Sequence, residues 1–266
     1  MPRFAANLSM LFTEVDFLDR FQLAANCGFR GVEFMFPYDW KPGELAGRLV
    51  SNGLTQALIN APPGDLRAGD RGLAAVPCRE AVFRHGFEQA LDYAEALRCD
   101  QVHVMAGMLA DEAGRADAHA CFVENLIWAA GRAAERGVAV LIEPINSKID
   151  APGYFLTTIA QARTIIDAVA SDNLFLQCDL YHAQIMNGNL AETIENTLPI
   201  VRHFQVAGVP GRHEPDQGEI NYPYLFSLID SLGYTGWIGC EYRPAGATLD
   251  GLGWATDYGI DGHGGG

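Results

Sequence analysis

The sequence predicts a single (β/α)8 barrel, the TIM barrel, and three observations support this fold class. Eight apolar segments rich in strand-forming residues alternate with amphipathic stretches whose apolar residues recur at helical spacing. The chain has 266 residues, a length typical of one closed α/β barrel. Eight alternating strand–helix units close naturally into such a barrel. A doubly wound open sheet is the alternative, and it is weakened because no G-x-G-x-x-G motif follows an early strand.

The predicted strands are short and mostly apolar, as expected for strands covered on both faces. In chain order they span residues 3–8, 31–36, 54–60, 101–107, 138–144, 173–179, 201–208 and 236–242. Predicted helical stretches between them include 16–28 and 79–99. Several helical stretches end on a glycine that precedes the next strand, as a helix C-cap does: Gly28, Gly53, Gly137 and Gly233.

The sequence predicts one domain over residues 1–258, followed by a disordered glycine-rich tail over 259–266. Two connections are long, at 60–80 after the third strand and at 207–223 after the seventh. Both are rich in glycine and proline and carry charge. They follow the carboxyl ends of strands, the face on which barrels build their active sites.

Composition and charge limit the classes of function. A net charge of −15 disfavours binding to nucleic acid, but a local basic pocket can still hold a small anionic substrate. No apolar run is long enough to predict a membrane span, and the N-terminus shows no export signal. Six scattered cysteines without a C-x-x-C pair are typical of reduced thiols. We therefore expect a cytoplasmic protein without nucleic acid or membrane partners.

The oligomeric state is left open by the sequence. Two aromatic residues near the C-terminus, Trp254 and Tyr258, could pack on a neighbouring subunit of a homo-oligomer. The alternative is that they cover the outer helices of their own barrel.

Four oxygen-bearing side chains lie at or near the ends of four consecutive predicted strands. Glu143, Asp179 and Glu241 end the fifth, sixth and eighth strands, and Gln205 lies among apolar neighbours in the seventh. Consecutive strands are neighbours in a barrel, so we expect these side chains to converge at its C-terminal mouth. Glu33, near the end of the second strand, is a further candidate, or it anchors the core.

Three carboxylates and one amide oxygen form an oxygen-only ligand set. Acids brought this close raise one another's pKa, and a divalent cation relieves the repulsion. Oxygen ligands suit Mg²⁺ or Mn²⁺. For any one of these acids alone, a salt bridge to a loop arginine is the structural alternative. The four together favour a metal site.

Basic and imidazole side chains on the same face are candidates for substrate binding. His182 follows Asp179 by three residues and could hydrogen-bond a substrate oxygen or act as a further metal ligand. Arginine can hold a carboxylate through two hydrogen bonds, which makes the arginines of the two long loops candidates for a substrate carboxylate. The alternative is that each simply solvates its loop. The loop candidates are Arg67, Arg71, Arg212 and His213, of which Arg71 and Arg212 are preferred.

Six segments resemble the hydroxypyruvate isomerase family, which lies within the xylose-isomerase-like barrels. They run in order along nearly the whole chain: ANLSMLF (6–12), GFRGVEFMFPYDW (28–40), EPIN (143–146), HAQ (182–184), GEINY (218–222) and GWIGCEYRP (236–244). Residues 206–226 also resemble the related 2-oxo-tetronate isomerase branch, whereas residues 143–155 look more like the hydroxypyruvate branch. Different segments of the sequence therefore resemble family branches that act on two different substrates.

The resemblance implies a set of site roles. It implies a divalent metal at the positions matched here by Glu143, Asp179, Gln205 and Glu241. It also implies proton transfer by Glu143 and Glu241 and substrate contact by His182. Sugar 3-epimerases of the same superfamily have a histidine where this chain has Gln205, and this departure weakens an epimerase reading.

The chemistry of the expected reaction matches these roles. Interconverting hydroxypyruvate and tartronate semialdehyde moves one proton between adjacent carbons, through an enediolate that a cation can stabilise. One carboxylate takes the proton and another returns it. We therefore expect an aldose–ketose-type isomerase of a small 2-oxo acid, with hydroxypyruvate as first substrate and 2-oxo-tetronate as the alternative.

Two alternatives come from other classes of function. A DNA-repair endonuclease shares this barrel but uses several zinc ions held by a histidine-rich set, and this chain has seven histidines. A non-catalytic barrel that binds a sugar acid is the other.

Overall fold

The computed structural model describes residues 1–109 and 111–262, and it shows eight parallel strands closed into a barrel. The strands are β1 (Arg3–Asn7), β2 (Gly31–Phe34), β3 (Thr55–Asn60), β4 (Gln101–His103), β5 (Ala139–Ile142), β6 (Leu174–Asp179), β7 (Val201–Val206) and β8 (Trp237–Cys240). Each strand pairs with the next, and β8 closes the barrel by pairing with β1. The predicted fold class is confirmed, and each predicted strand coincides with an observed one.

Helices cover the outside of the barrel. They are α1 (Arg20–Asn26), α2 (Pro42–Asn52), α3 (Glu80–Leu97), α4 (Arg115–Ala134), α5 (Ile159–Val169), α6 (Leu180–Met186), α7 (Leu190–Thr197) and α8 (Tyr222–Ser231). Turns of 3-10 helix precede α1 and α4, at Phe17–Asp19 and Glu112–Gly114, and a longer one spans Thr248–Tyr258. No helix in residues 1–109 and 111–262 has the length and apolar character needed to cross a membrane.

The spacing of apolar residues explains how a helix such as α3 attaches to the barrel. Phe83, Phe87 and Leu91 recur every four positions, which places them on one face, and all three are buried. This face packs against β3 and β4. At the end of α2, Gly53 adopts the left-handed conformation with φ 63°, as predicted for a glycine C-cap.

The segment after residue 258 packs onto the barrel. Ile260 is buried, and the backbone N–H of Asp261 donates to the carbonyl oxygen of Cys27 at 3.0 Å. Gly28 has φ 96°, and a Cβ there would lie 2.2 Å from the carbonyl oxygen of Gly259, so the two chain segments meet at backbone distance. The chain up to residue 261 therefore packs on the barrel, and the domain boundary at 258 stays a prediction. Residues 263–266 of the predicted tail lie outside the described residues.

The aromatic residues near the C-terminus pack on their own barrel. The ring centroids of Trp254 and Tyr258 lie 5.1 and 5.0 Å from that of Phe4 on β1. Trp254 also donates through Nε1 to the hydroxyl of Tyr242 at 3.3 Å. Trp254 and Tyr258 therefore pack on their own chain, the second of the two alternatives left open by the sequence. A homo-oligomer stays a prediction. The six cysteines are free thiols, and five of them are buried.

Candidate active site

Three carboxylates lie at the carboxyl ends of β5, β6 and β8. We call Glu143, Asp179 and Glu241 the acid cluster. Asp179 is the last residue of β6 and the N-cap of α6, where its Oδ1 accepts from the backbone N–H of Tyr181 at 2.8 Å. Because α6 begins at once, its first turn brings His182 back over the strand end. The His182 Nε2 lies 3.6 Å from Asp179 Oδ2 and 3.9 Å from Glu143 Oε1.

Arg212 joins the acid cluster from the long loop after β7. Its Nη2 donates to Glu241 Oε1 at 2.8 Å and to Asp179 Oδ2 at 3.2 Å, and its Nη1 lies 3.7 Å from Asp150 Oδ1. The guanidinium also lies over the ring of Tyr181, 4.9 Å from its centroid. One predicted substrate-binding arginine is therefore placed at the acids, where its charge offsets theirs.

The other loop candidates lie apart from the acid cluster. Arg71 is exposed and donates to the carbonyl oxygens of Asp70 and Leu66 in its own loop. Arg67 is also exposed, and the Nδ1 of His213 lies 2.9 Å from the carbonyl oxygen of Arg243. Among these four candidates, we find a hydrogen bond or ion pair to the acid cluster only for Arg212 within the described residues. A substrate role for Arg71 stays a prediction.

The amide of Gln205 is held by three partners. Its Nε2 donates to Glu33 Oε1 at 2.8 Å and to Glu241 Oε2, and its Oε1 accepts from Gln177 Nε2 at 2.7 Å. The nitrogen rather than the oxygen therefore faces the acid cluster. Ligation of a metal through the oxygen requires the amide to turn over, which places that oxygen against the Glu33 carboxylate. The ligand role of Gln205 stays a prediction.

Burial raises the pKa of all three acids. It raises the pKa of Glu143 well above its usual value, and the charges of Glu241 and Asp179 add to the effect. Burial raises the pKa of Asp179 to about 6 and that of Glu241 to about 8, although Arg212 lowers both. At neutral pH the cluster therefore holds protons that a solvated carboxylate would have lost.

His182 is a neutral ring with a defined tautomer. Burial lowers its pKa well below the usual value, and the nearby charge of Arg212 lowers it further. The Oδ1 of Asn146 accepts from the backbone N–H groups of Ile149 and Asp150, so its Nδ2 faces the His182 Nδ1 at 2.8 Å. The Nδ1 therefore accepts, and the hydrogen is on Nε2, which faces the acids. Of the two predicted roles, this tautomer favours donation to a substrate oxygen.

The donor set fits a divalent cation. Glu143, Asp179 and His182 offer ligand atoms that all lie within 4.8 Å of one another, so a buried group able to hold a metal is present, although His182 would ligate only after the hydrogen leaves its Nε2. The Glu143 Oε1 is buried and has no hydrogen-bond partner within the part of the chain that the structure describes. An unpartnered carboxylate oxygen beside two further acids is what a bound cation would satisfy.

Sequence reasoning missed several residues that contact this site, among them Asn146 and His103. Asn146 lies three positions after Glu143 in the EPIN motif, and its position in that motif was the available signal. His103 on β4 is buried, and its Nε2 lies 3.6 Å from Glu143 Oε2. Burial lowers the pKa of His103 to about 3, with the charge of His203 adding to the effect. A histidine between two valines of a predicted strand was its signal.

Comparison with known proteins shows the family to which the chain belongs. Residues 21–258 match the model of the xylose isomerase-like TIM barrel family. The chain is a member of that family, as its motifs predict.

Named relatives are similar over nearly the full length. A 2-oxo-tetronate isomerase of Cupriavidus necator is 55% identical over 258 residues, which cover 97% of this chain and 99% of the relative. A hydroxypyruvate isomerase of Escherichia coli is 48% identical, with 97% and 100% covered. The crystal structure of an AP endonuclease, family 2, from Brucella melitensis superposes with a TM-score of 0.94 at 49% identity, with 97% and 99% covered. The resemblance to the hydroxypyruvate isomerase family is confirmed.

Proposed function

We propose that the protein is an isomerase that interconverts a small 2-oxo-3-hydroxy acid and its isomer by moving a proton between two adjacent carbons. One observation carries the proposal: the buried Glu143 and the half-buried Glu241, both with raised pKa values, share a site with a cationic Arg212 and a neutral His182. Relatives at 48% and 55% identity are named isomerases.

Each side chain has a role in the proposed reaction. Arg212 holds the substrate carboxylate through two hydrogen bonds once it releases the acids. One of the two glutamates removes the proton from C3, and the other returns a proton to C2, while the hydroxyl proton on O3 is transferred to O2. A raised pKa suits both steps. When ionised, such a carboxyl is a stronger base and can remove a proton; when protonated near neutral pH, it can return one. His182 donates from Nε2 to a substrate oxygen on which negative charge develops.

A divalent cation, Mg²⁺ or Mn²⁺, is part of the proposal. Glu143, Asp179 and Glu241 would hold it, with Gln205 joining if its amide turns over. When bound, such a cation stabilises negative charge on a substrate oxygen. The Glu143 Oε1, which is buried and has no hydrogen-bond partner among the described residues, supports this assignment.

Two substrates are candidates. The segment at 143–155 favours hydroxypyruvate, which would give tartronate semialdehyde. The 55% identical relative and residues 206–226 favour 2-oxo-tetronate, which carries one more hydroxylated carbon. We further propose that the protein acts in the cytoplasm and on small anionic sugar acids rather than on nucleic acid, as its free thiols and its net charge of −15 suggest.

Steady-state kinetics test the proposal. Chelator-treated protein reloaded with Mg²⁺ or Mn²⁺ is given each substrate in turn, and the isomeric product is followed by chromatography. We expect turnover of at least one of the two acids. Chelation should abolish this turnover, and addition of the cation should restore it. Binding of both acids without turnover would contradict the proposal and would support a non-catalytic sugar-acid-binding barrel.

A further inference from the structure

A buried acid–imidazole pair lies beneath the acid cluster, and the proposed reaction does not use it. Glu33 on β2 and His203 on β7 are separated by 170 residues in sequence, yet Glu33 Oε2 and His203 Nε2 lie 2.7 Å apart. Their side chains are 1% and 0% exposed. Such a pair is costly to bury unless its remaining polar atoms are also hydrogen-bonded.

The remaining atoms of the pair are hydrogen-bonded in a defined direction. His203 Nδ1 lies 3.2 Å from Gln101 Nε2, which can only donate, so the ring accepts there and its Nε2–H donates to Glu33. The other oxygen of Glu33 accepts from Asn7 Nδ2 at 3.0 Å and from Gln205 Nε2 at 2.8 Å. Glu33 therefore has a fixed position, and it offers one oxygen to Gln205.

Gln205 links this fixed carboxylate to the acid cluster. Its oxygen is held by Gln177, and its nitrogen is held by Glu33. The same nitrogen donates to Glu241 Oε2. A displacement of Glu33 would therefore shift the Gln205 amide and, through it, the position of Glu241.

A glycine in β8, which is separated from the Glu33 strand β2 by β1, makes room for the Glu33 carboxylate. A Cβ built on Gly239 would lie 2.3 Å and 2.4 Å from the two carboxylate oxygens of Glu33. Gly239 pairs with Gln205 in the regular part of the β7–β8 ladder, and its φ lies outside the left-handed region. Its backbone therefore accepts an alanine, and the space that an alanine would fill is the space occupied by Glu33.

We propose that Glu33 and His203 are positioning residues that act on Glu241 through Gln205. This inference rests on the proposed isomerase function, in which Glu241 exchanges a proton with a substrate carbon. A carboxyl that transfers a proton must keep its place relative to that carbon, and small displacements are costly in rate. Gly239 contributes to the same positioning because the absence of a Cβ leaves the space that the Glu33 carboxylate occupies.

Two variants at Glu33, one at Gly239 and one control test the proposal. Glu33→Leu removes the acceptor, Glu33→Gln keeps one acceptor oxygen, and Gly239→Ala displaces the carboxylate without removing its charge. The control is Gln56→Met, which removes a buried side-chain hydrogen bond to the Leu58 carbonyl oxygen elsewhere in the barrel. We expect kcat to fall by about tenfold or more in Glu33→Leu and Gly239→Ala, by less in Glu33→Gln, and hardly at all in the control, with KM within about twofold throughout.

Coupling to Gln205 separates positioning from a general loss of stability. If Glu33 acts through Gln205, then Glu33→Leu lowers kcat no further in a Gln205→Leu background. Losses that multiply in the double variant would overturn the proposal, and so would folded Glu33→Leu and Gly239→Ala proteins with the kcat of the wild type.

Crystal structures of the wild type and Gly239→Ala give a readout that does not depend on turnover. We expect the variant to lose the Gln205–Glu241 hydrogen bond, whereas an unmoved Glu241 would overturn the proposal. If the wild type converts neither substrate, the proposed function fails, and the position of Glu241 in the variant still decides whether Glu33 positions it.

Discussion

The guanidinium of Arg212 lies 2.8 Å from Glu241 Oε1, with its Nη2 also 3.2 Å from Asp179 Oδ2. A positive side chain thus neutralises the carboxylates that are expected to bind a divalent cation. Arg212 and a bound cation would compete for the same carboxylate oxygens. Cation binding would therefore release Arg212 from the acids and make it available to a substrate carboxylate.

Replacing Arg212 separates these two roles. In Arg212→Gln we expect tighter binding of Mn²⁺ without substrate, because the competing charge is gone, and a KM raised by about tenfold or more, because the carboxylate contact is lost. Isothermal titration with Mn²⁺ and steady-state kinetics measure the two effects. Arg71→Gln is the matched control, since Arg71 is exposed and bonded to its own loop. An equal rise in KM in both variants would support the predicted substrate role of Arg71.

The raised pKa values predict how pH and cations act together on stability. The folded acid cluster keeps protons up to a pKa of about 6 at Asp179 and about 8 at Glu241, whereas the unfolded chain releases them near their ordinary values. The folded state binds more protons in this range, so the stability of the cation-free protein falls as pH rises through it. A divalent cation bound to the acid cluster would replace those protons. We expect Mg²⁺ or Mn²⁺ to raise the Tm more at pH 8 than at pH 6 in thermal unfolding, and an equal or larger rise at pH 6 would contradict this account.

The hydrogen bond from Asn146 to His182 is expected to matter because it sets the tautomer of the ring. In Asn146→Leu the Nδ1 of His182 loses its donor, so the hydrogen is no longer confined to Nε2. We expect kcat/KM to fall by about tenfold, and to fall no further when His182→Gln is added. Asn125→Leu is a control, since Asn125 on α4 is also buried but bonds the Ala74 carbonyl oxygen in the long loop after β3. Independent losses in the double variant would separate Asn146 from His182.

An endonuclease activity is the contrasting prediction, because a relative from Brucella melitensis is named an AP endonuclease. The chain carries a net charge of −15, which opposes the approach of a phosphate backbone. We expect no cleavage when the protein is incubated with zinc and a duplex that contains an abasic site. Cleavage that Glu143→Gln abolishes would replace the isomerase proposal with this one.

Much of the fold and part of the site could be predicted from the sequence. Glu143 and Asp179 were found because each interrupts an apolar run at the end of a strand, and the barrel topology then places strand ends together. Arg212 was found as a basic residue in a long loop on the same face. These signals are local in the sequence. The fold class then predicts where each residue lies in the barrel.

The hydrogen-bond network could not be predicted because it depends on side-chain directions between distant strands. Glu33 and His203 lie 170 positions apart, and no local pattern pairs them. The orientation of the Gln205 amide follows from Glu33 and Gln177, so it was hidden for the same reason. The packing of Ile260 on the barrel was hidden too, because a short glycine-rich segment suggests disorder, whereas this side chain is buried.

The central claim is proton transfer between two adjacent substrate carbons by Glu143 and Glu241, and proton exchange followed by NMR tests it most directly. Protein loaded with Mg²⁺ or Mn²⁺ is incubated in D₂O with hydroxypyruvate and, separately, with 2-oxo-tetronate, beside Glu143→Gln and Glu241→Gln. We expect isomeric product that carries carbon-bound deuterium in the wild type, and its loss in both variants and after chelation. Undiminished exchange in the two variants, or a wild type that forms neither product, would contradict the account.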